Sequence, residues 1–307
     1  MNQKAIIKYL MKLRESEIKF NPEEGAVFRE VFDHPYYLSL DETAQIELGL
    51  RWARKLYQTE AECSSFDSYF GDFDLPENFK NPVMLDVGCY IGGKTVSWLE
   101  RYHGIEIHGI DIDPRFIRIA TCFAKEKNAN AHFKVSFAEE LDYPDSFFDV
   151  ILSENTFEHV YNIRKVMREC NRVLKKEGFM VITFPPFWGP SNHHLYLVTR
   201  TPFIHWFFQY SSLLETYFAI LNERGADALW YRRLDEHPLP FEKGYSINGL
   251  GALVFRKLLK DNWNIIADGY TRRTSGKGFV KDTWMNFLKI TPLFRELFPV
   301  AYVVQKR

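Results

Sequence analysis

Pro82-Val-Met-Leu-Asp-Val-Gly-Cys-Tyr-Ile-Gly-Gly93 combines an acid with glycines at the spacing of a ligand-holding turn. Val83 to Val87 is a short apolar run of the kind that fills a sheet buried on both faces, and Pro82 fits only at its start. Gly88, Gly92 and Gly93 break that run, permit positive φ and let a ligand approach the backbone. A helix beginning near Lys94 turns its free N–H groups and its dipole toward the same spot. Alone, the loop reads equally well as an ordinary strand-to-helix turn. The next apolar run, Gly104 to Asp113, decides for a ligand: it contains Asp111, 23 residues beyond Gly88, where a parallel neighbour delivers a carboxylate to a ribose.

At these residues the chain resembles the small-molecule branch of the class I S-adenosylmethionine-dependent methyltransferases. Leu85 to Gly92 is similar to their first motif, and Gly109-Ile-Asp-Ile-Asp-Pro114 to their second. Ala138 to Ser153 looks like their adenine-side loop and fourth strand. The resemblance implies S-adenosylmethionine as cofactor and S-adenosylhomocysteine as product. It assigns the methionine portion to Asp86 and to the Gly88–Gly92 backbone, which includes Cys89 and Tyr90. Asp111 falls to the ribose hydroxyls, Ile112, Ala138 and Glu139 to the adenine side, and Glu154 to the end of the fourth strand. Tyr90 departs from the pattern, because the family usually has a glycine there; closer approach of backbone to cofactor is expected to be restricted at that point.

Methyl transfer from a sulfonium is an in-line displacement, so the protein mainly aligns the nucleophile and excludes water. A hydroxyl acceptor gains from a general base, and histidine has the suitable unperturbed pKa. His194 and His193, at the mouth of an aromatic stretch, and His159, after the fourth strand, are the candidates; each is equally readable as a structural histidine. His193, His194, Glu154 and Glu158 show no recognised metal-ligand spacing, so no metal is expected. The expected reaction is O-methylation of a sugar or phenolic hydroxyl on a small-molecule acceptor. The alternatives are C- or N-methylation of a lipid, quinone or other metabolite, or a methyltransferase-like binding protein without catalysis.

The elements that must position these residues alternate from residue 83 to 184, the signature of a doubly wound α/β sheet. Strands are predicted at 83–87, 105–110, 132–136, 148–153 and 178–184, with helices near 93–102, 114–127 and 161–175. Two closing strands at 264–270 and 301–305 give a Rossmann-like seven-stranded methyltransferase sheet, its last strand antiparallel by the resemblance. Residues 1–80 read as a helical cap. Its first helix spans 3–19, and its second starts at a Ser39–Glu42 capping box, with Tyr36 or Tyr37 available to close the cleft. Residues 81–185 and 246–307 form the cofactor-binding core. The aromatic stretch at 186–245 is an inserted acceptor-binding lid, with a helix from Ser211 to Arg224, and Asn248 is expected to cap a helix running to Lys260.

Composition narrows the classes further. A net charge of −1 over 307 residues provides no global field for nucleic acid, and no Asn-Pro-Pro-Tyr-like base-flipping motif stands after the fourth strand. No apolar run reaches membrane-spanning length, and the amino terminus lacks a signal peptide's uninterrupted apolar core. The four cysteines, Cys63, Cys89, Cys122 and Cys170, have no paired or metal-like spacing. Together these predict a cytoplasmic protein with buried thiols.

Overall fold

The computed structural model describes residues 2–16, 32, 34–62, 81–101, 104–224, 247–270 and 296–307. Cys63, the expected turn at 72–80 and the insertion beyond residue 224 lie outside the described residues. Among the described residues three helices come first: α1 (Gln3–Leu13), α2 (Pro35–Ser39) and α3 (Glu42–Glu62). The alternating part follows as β1 (Val83–Val87), α4 (Gly93–Arg101), β2 (Glu106–Asp111), α5 (Pro114–Lys127), β3 (Ala131–Val135), β4 (Phe148–Glu154), α6 (Ile163–Val173) and β5 (Leu174–Phe184). The chain continues through α7 (Ile204–Phe207), α8 (Tyr210–Arg224), α9 (Ala252–Leu258), β6 (Trp263–Tyr270) and β7 (Val300–Lys306).

All seven strands form one sheet in the order β3-β2-β1-β4-β5-β7-β6. The first five pair in parallel, whereas β7 runs antiparallel to both β5 and β6. The chain builds outward from β1 through β2 to β3, then returns to lay β4 on the other side of β1. Strand order therefore reverses between β1 and β4, and the crevice of an open α/β sheet lies beyond the carboxyl ends at such a point. Helices cover both faces, which is why β1 and β4 are nearly continuous apolar runs.

Sequence signals set most boundaries. Asp113 caps α5 by accepting from Arg115 N at 2.9 Å, Pro114 occupies the first turn, and Asn128 ends the helix at φ 49°. Other boundaries differ from the expectation. Ser39 closes α2, and Asp41 caps α3 instead, accepting from Ala44 N at 2.8 Å. β5 begins at Leu174 rather than 178, because Lys175 to Gly178 form an irregular step between the pairs Phe148–Leu174 and Val150–Phe179. Asn248 does not cap a helix: its Nδ2 donates to Phe157 O and Val160 O, and its Oδ1 accepts from Leu250 N. α9 starts later, at Ala252, where the Glu296 carboxylate accepts from the N–H groups of Ala252 and Leu253.

Among the described residues four apolar clusters hold these layers, one of them packing Trp98 of α4 on Met84, Ile107, Val150 and Val181 of the sheet. Another lies between the sheet, α6 and α9, and includes Phe148, Ile182, Phe184, Phe255 and Tyr302. A third joins α3 to α4 and α5 through Trp52, Val96, Ile119 and Phe123, with Phe32 and Tyr37 wedged in. Arg54 clamps α3 to α5 by a bidentate pair with Glu126 at 2.9 and 2.6 Å. A Cβ on Gly93 would overlap the backbone of Ala53, so only glycine lets α3 lie this close to the start of α4. The fourth cluster gathers Ile7 and Met11 of α1 with Leu195, Leu197, Leu213 and Tyr217. Burying each such side chain contributes roughly 1.5–3 kcal/mol. The first helix thus packs on the chain after β5, while α3 packs on the sheet-flanking helices.

Candidate active site

The turn after β1 is tied to the end of β2 before any ligand enters. Gly88 N and Cys89 N both donate to Ile110 O at 2.9 Å, and Tyr90 N donates to Asp111 Oδ2 at 3.2 Å. Asp113 N donates to the other Asp111 oxygen at 3.0 Å. Two backbone donors therefore aim the Asp111 carboxylate. Gly88 sits at φ 85° with its open face against Thr156 of the loop after β4, where any added Cβ would overlap the Thr156 hydroxyl. A glycine is required there for both reasons.

Tyr90 takes the left-handed conformation itself, at φ 52°. Its ring packs edge-on against Phe116 and Phe32, with centroids 4.6 and 5.8 Å away. That aromatic packing holds a backbone shape which glycine would adopt without strain.

Asp86, at the end of β1, is 4 % exposed and accepts a 2.5 Å hydrogen bond from Thr95 Oγ1. Burial, only partly offset by that hydrogen bond, pushes its carboxyl up to about 7. Lys94, one residue into α4, reaches over to Glu154 at 2.8 Å and to Glu60 of α3 at 3.9 Å. Burial works against its charge, but Glu154, Glu60 and Asp86 together outweigh burial and raise its pKa. Trp98 Nε1 fixes Glu60 from the other side at 3.0 Å. Cys89 is buried, and burial together with Asp86 and Asp111 raises its thiol well above the ordinary range, so it is no nucleophile at neutral pH.

On the far side of β2, Ala138 is buried and Ile112 is partly exposed. Glu139 accepts from Asn162 N at 3.0 Å, which ties the segment after β3 to the start of α6. Phe137 is 40 % exposed beside them, an aromatic face that the sequence reading passed over.

The loop after β4 meets the chain after β5. The His159 and His194 rings stand edge-on with centroids 5.0 Å apart, and Asn248 clamps the loop by its bonds to Phe157 and Val160 and by Asn248 N donating to Glu158 O at 2.8 Å. His194 is held at φ 53°, and burial, then His159 and His193, push its pKa well below the ordinary histidine value. His193 is different. Its Nδ1 accepts from Leu195 N at 3.0 Å, which puts the proton on Nε2 and leaves no free lone pair. Burial, with His205 beside it, lowers its pKa to about 4.

Sequence reasoning named the residues at the strand ends but missed Lys94, Thr95, Glu60 and Thr156. Lys94 and Thr95 follow the glycine turn directly and were findable there. Glu60 carried no signal, because it arrives from a separate helix. Among the described residues, no three His, Cys, Asp or Glu side chains converge as a metal site, and no helix is long and apolar enough to cross a membrane.

Comparison with known proteins agrees with this architecture. Residues 85–182 match the family model described as a methyltransferase domain. The chain is 36% identical over 116 residues to ajmaline N-methyltransferase of Rauvolfia serpentina, covering 37% of this chain and 39% of that protein. It is 31% identical over 125 residues to a ubiquinone biosynthesis O-methyltransferase of Cereibacter sphaeroides, covering 41% and 49%. The chain thus spans about half or less of the curated relatives it matches. In fold it is similar to geranyl diphosphate methyltransferase in complex with SAM, with TM-score 0.50, 11% identity and coverage of 89% and 96%. A putative methyltransferase from Haloferax volcanii, solved with a methyltransferase activator, gives TM-score 0.50 at 13% identity, covering 83% and 93%.

Proposed function

We propose that this chain, whose residues 85–182 are a class I S-adenosylmethionine-dependent methyltransferase domain, moves a methyl group from S-adenosylmethionine to a small-molecule acceptor, most plainly a sugar or phenolic hydroxyl. One observation carries the cofactor reading. The Asp111 carboxylate is aimed by Tyr90 N–H and Asp113 N–H at the reversal of strand order, next to a Gly88 turn that tolerates no side chain. Asp111 takes the ribose hydroxyls. Asp86, the Gly88–Gly92 backbone and Lys94 take the methionine portion, Lys94 pairing with its carboxylate. Ile112, Phe137, Ala138 and Glu139 flank the adenine, and Glu154 holds Lys94 in position.

In the transfer, the acceptor oxygen attacks the methyl carbon as the carbon–sulfur bond breaks, and the sulfonium becomes a neutral thioether. The acceptor's proton passes to His194 or His159, which face each other where the loop after β4 meets the insertion. His193, with its lone pair committed to Leu195 N–H, instead shapes the insertion. In this reading residues 186–224 belong to the lid on the acceptor side, the helices within residues 2–62 to the covering of the cleft, and residues 81–185, 247–270 and 296–307 to the core. The domain's relatives include both N- and O-methyltransferases, so nitrogen acceptors remain the second reading; there the histidines matter less, because an amine lone pair needs no base before attack.

Calorimetric titration with S-adenosylhomocysteine tests the cofactor assignment. Replacing Asp111 by Ala removes charge-assisted hydrogen bonds worth about 1.5–3 kcal/mol, so affinity falls by one to two orders of magnitude. A wild-type protein that ignores the ligand, or a folded Asp111→Ala protein that binds it equally well, contradicts the assignment.

A further inference from the structure

Between Glu177 and Glu215 the chain carries no acidic residue, although 40 of its 307 residues are Asp or Glu, so this stretch offers nothing to repel an anion. Its exposed part is aromatic. Phe207, at the end of α7, is 75 % exposed, and Trp206 and Trp188 are each 44 % exposed. Single apolar side chains in water need no explanation, but three large rings together mark a contact surface. These rings are held in place: Trp206 Nε1 donates to Trp188 O at 3.0 Å, and the Phe203 ring packs edge-on against Trp206 with centroids 4.8 Å apart. The end of α1 belongs to the same hydrogen-bonded unit, since Arg200 N donates to Arg14 O at 2.8 Å and Thr201 Oγ1 donates to Leu10 O at 2.7 Å. Arg14 and Arg200 are both exposed, and neither forms an ion pair among the described residues. The acids nearest to them are already neutralised: Glu15 by Arg224 at 2.8 Å, and Glu215 and Glu223 of α8 by Lys4 and Lys8 of α1. Leu13 and Tyr9, one turn apart on α1, extend the exposed apolar area from Arg14 onward, on the side away from the buried Ile7 and Met11.

We infer that this surface docks on an anionic lipid bilayer, with Trp188, Trp206 and Phe207 entering the boundary between headgroups and acyl chains and Arg14 and Arg200 taking lipid phosphates. The inference does not depend on the reaction proposed above. Aromatic rings sit well at that boundary, and arginines beside them gain from the negative potential of the headgroups. Charge separates a bilayer from the other possible occupants. A second copy of this chain would bring Arg14 and Arg200 against Arg14 and Arg200, which repel, and a protein surface of mixed sign finds no unpaired acid here for its own cations. A sheet of negative headgroups over apolar tails matches both halves of the patch at once. With only a few rings and two arginines the contact is reversible, and its electrostatic part is screened by salt.

The test is co-sedimentation of the full chain with vesicles of phosphatidylcholine alone and of phosphatidylcholine and phosphatidylglycerol in equal parts. Wild-type protein should bind the anionic vesicles about tenfold more tightly than the neutral ones, and the difference should shrink as salt is raised. Phe207→Glu should weaken binding to the anionic vesicles by about tenfold, whereas Phe207→Leu, which keeps an apolar side chain, should retain most of it. Arg14→Glu combined with Arg200→Glu should remove the preference for anionic lipid. All three replaced side chains are exposed, so thermal unfolding of the variants should match wild type; should the double variant fail to fold, Phe207→Glu against Phe207→Leu still decides. Wild-type protein that stays in the supernatant with both vesicles overturns the inference, as do folded Phe207→Glu and Arg14→Glu/Arg200→Glu proteins that sediment like wild type. A wild-type dimer that ignores vesicles and that Phe207→Glu dissociates would also overturn it, and would assign the surface to a second copy.

Discussion

At the scale of single residues, two acids at the carboxyl edge of the sheet are buried at a cost to stability. Burial pushes Asp86 from 3.8 to about 7 and Glu158 from 4.5 to about 8. Both shifts are upward, so between the ordinary and the shifted value the native state holds a proton that the unfolded chain has released. Stability from these groups is complete at acid pH and is lost as pH rises toward about 8. Asp86→Asn and Glu158→Gln should each make the ligand-free protein more stable at pH 8, by ~2–8 °C in Tm, with little change at pH 4. Thermal unfolding of the three proteins at both pH values checks this; parallel curves across the range would show that neither acid is held protonated.

At the scale of elements, the glycine turn is fixed by sterics that the sequence announced and by partners that it did not. Gly88 is legible because an apolar strand followed by an acid and a glycine has few other uses, and all seven strands were readable from apolar runs punctuated by Gly, Pro and Asn. The identity of what Gly88 faces was not, since Thr156 lies 68 residues further on and only the pairing of β1 with β4 brings the two together. Asn248 misled for a related reason. Its type fits a helix cap, yet its side chain is claimed by Phe157 and Val160, a tertiary demand that overrides local preference. Ser39 likewise lost the cap of α3 to Asp41, because α2 had already used it. Gly88→Ala should destabilise the fold by ~2–4 kcal/mol, from the left-handed backbone and from overlap with Thr156. Adding Thr156→Gly removes the overlap alone, so a double-mutant cycle in denaturant should show at least ~1 kcal/mol of favourable coupling. Simple additivity would mean that the two loops do not touch.

At the scale of the molecule, the chain surrounds one edge of the sheet with segments from three distant parts of the sequence. α3 supplies Glu60 to Lys94, the loop after β4 supplies Thr156 and Glu158, and the chain after β5 brings His194 against His159. α1 buttresses that last segment by burying Ile7 and Met11 in it, so the amino terminus and the insertion form one cluster although more than 180 residues separate them. No periodicity in the sequence could disclose that pairing, because each partner shows only an apolar stripe seeking a surface. The most direct test of the whole account is a crystal structure with S-adenosylhomocysteine. The ribose hydroxyls should lie within about 2.6–3.2 Å of the Asp111 carboxylate, with the methionine portion beside Asp86, Gly88 and Lys94. Its sulfur should face the loop carrying Glu158 and the insertion carrying His194. Ligand bound at the amino-terminal edge of the sheet, or against the sheet with Asp111 untouched, would contradict it.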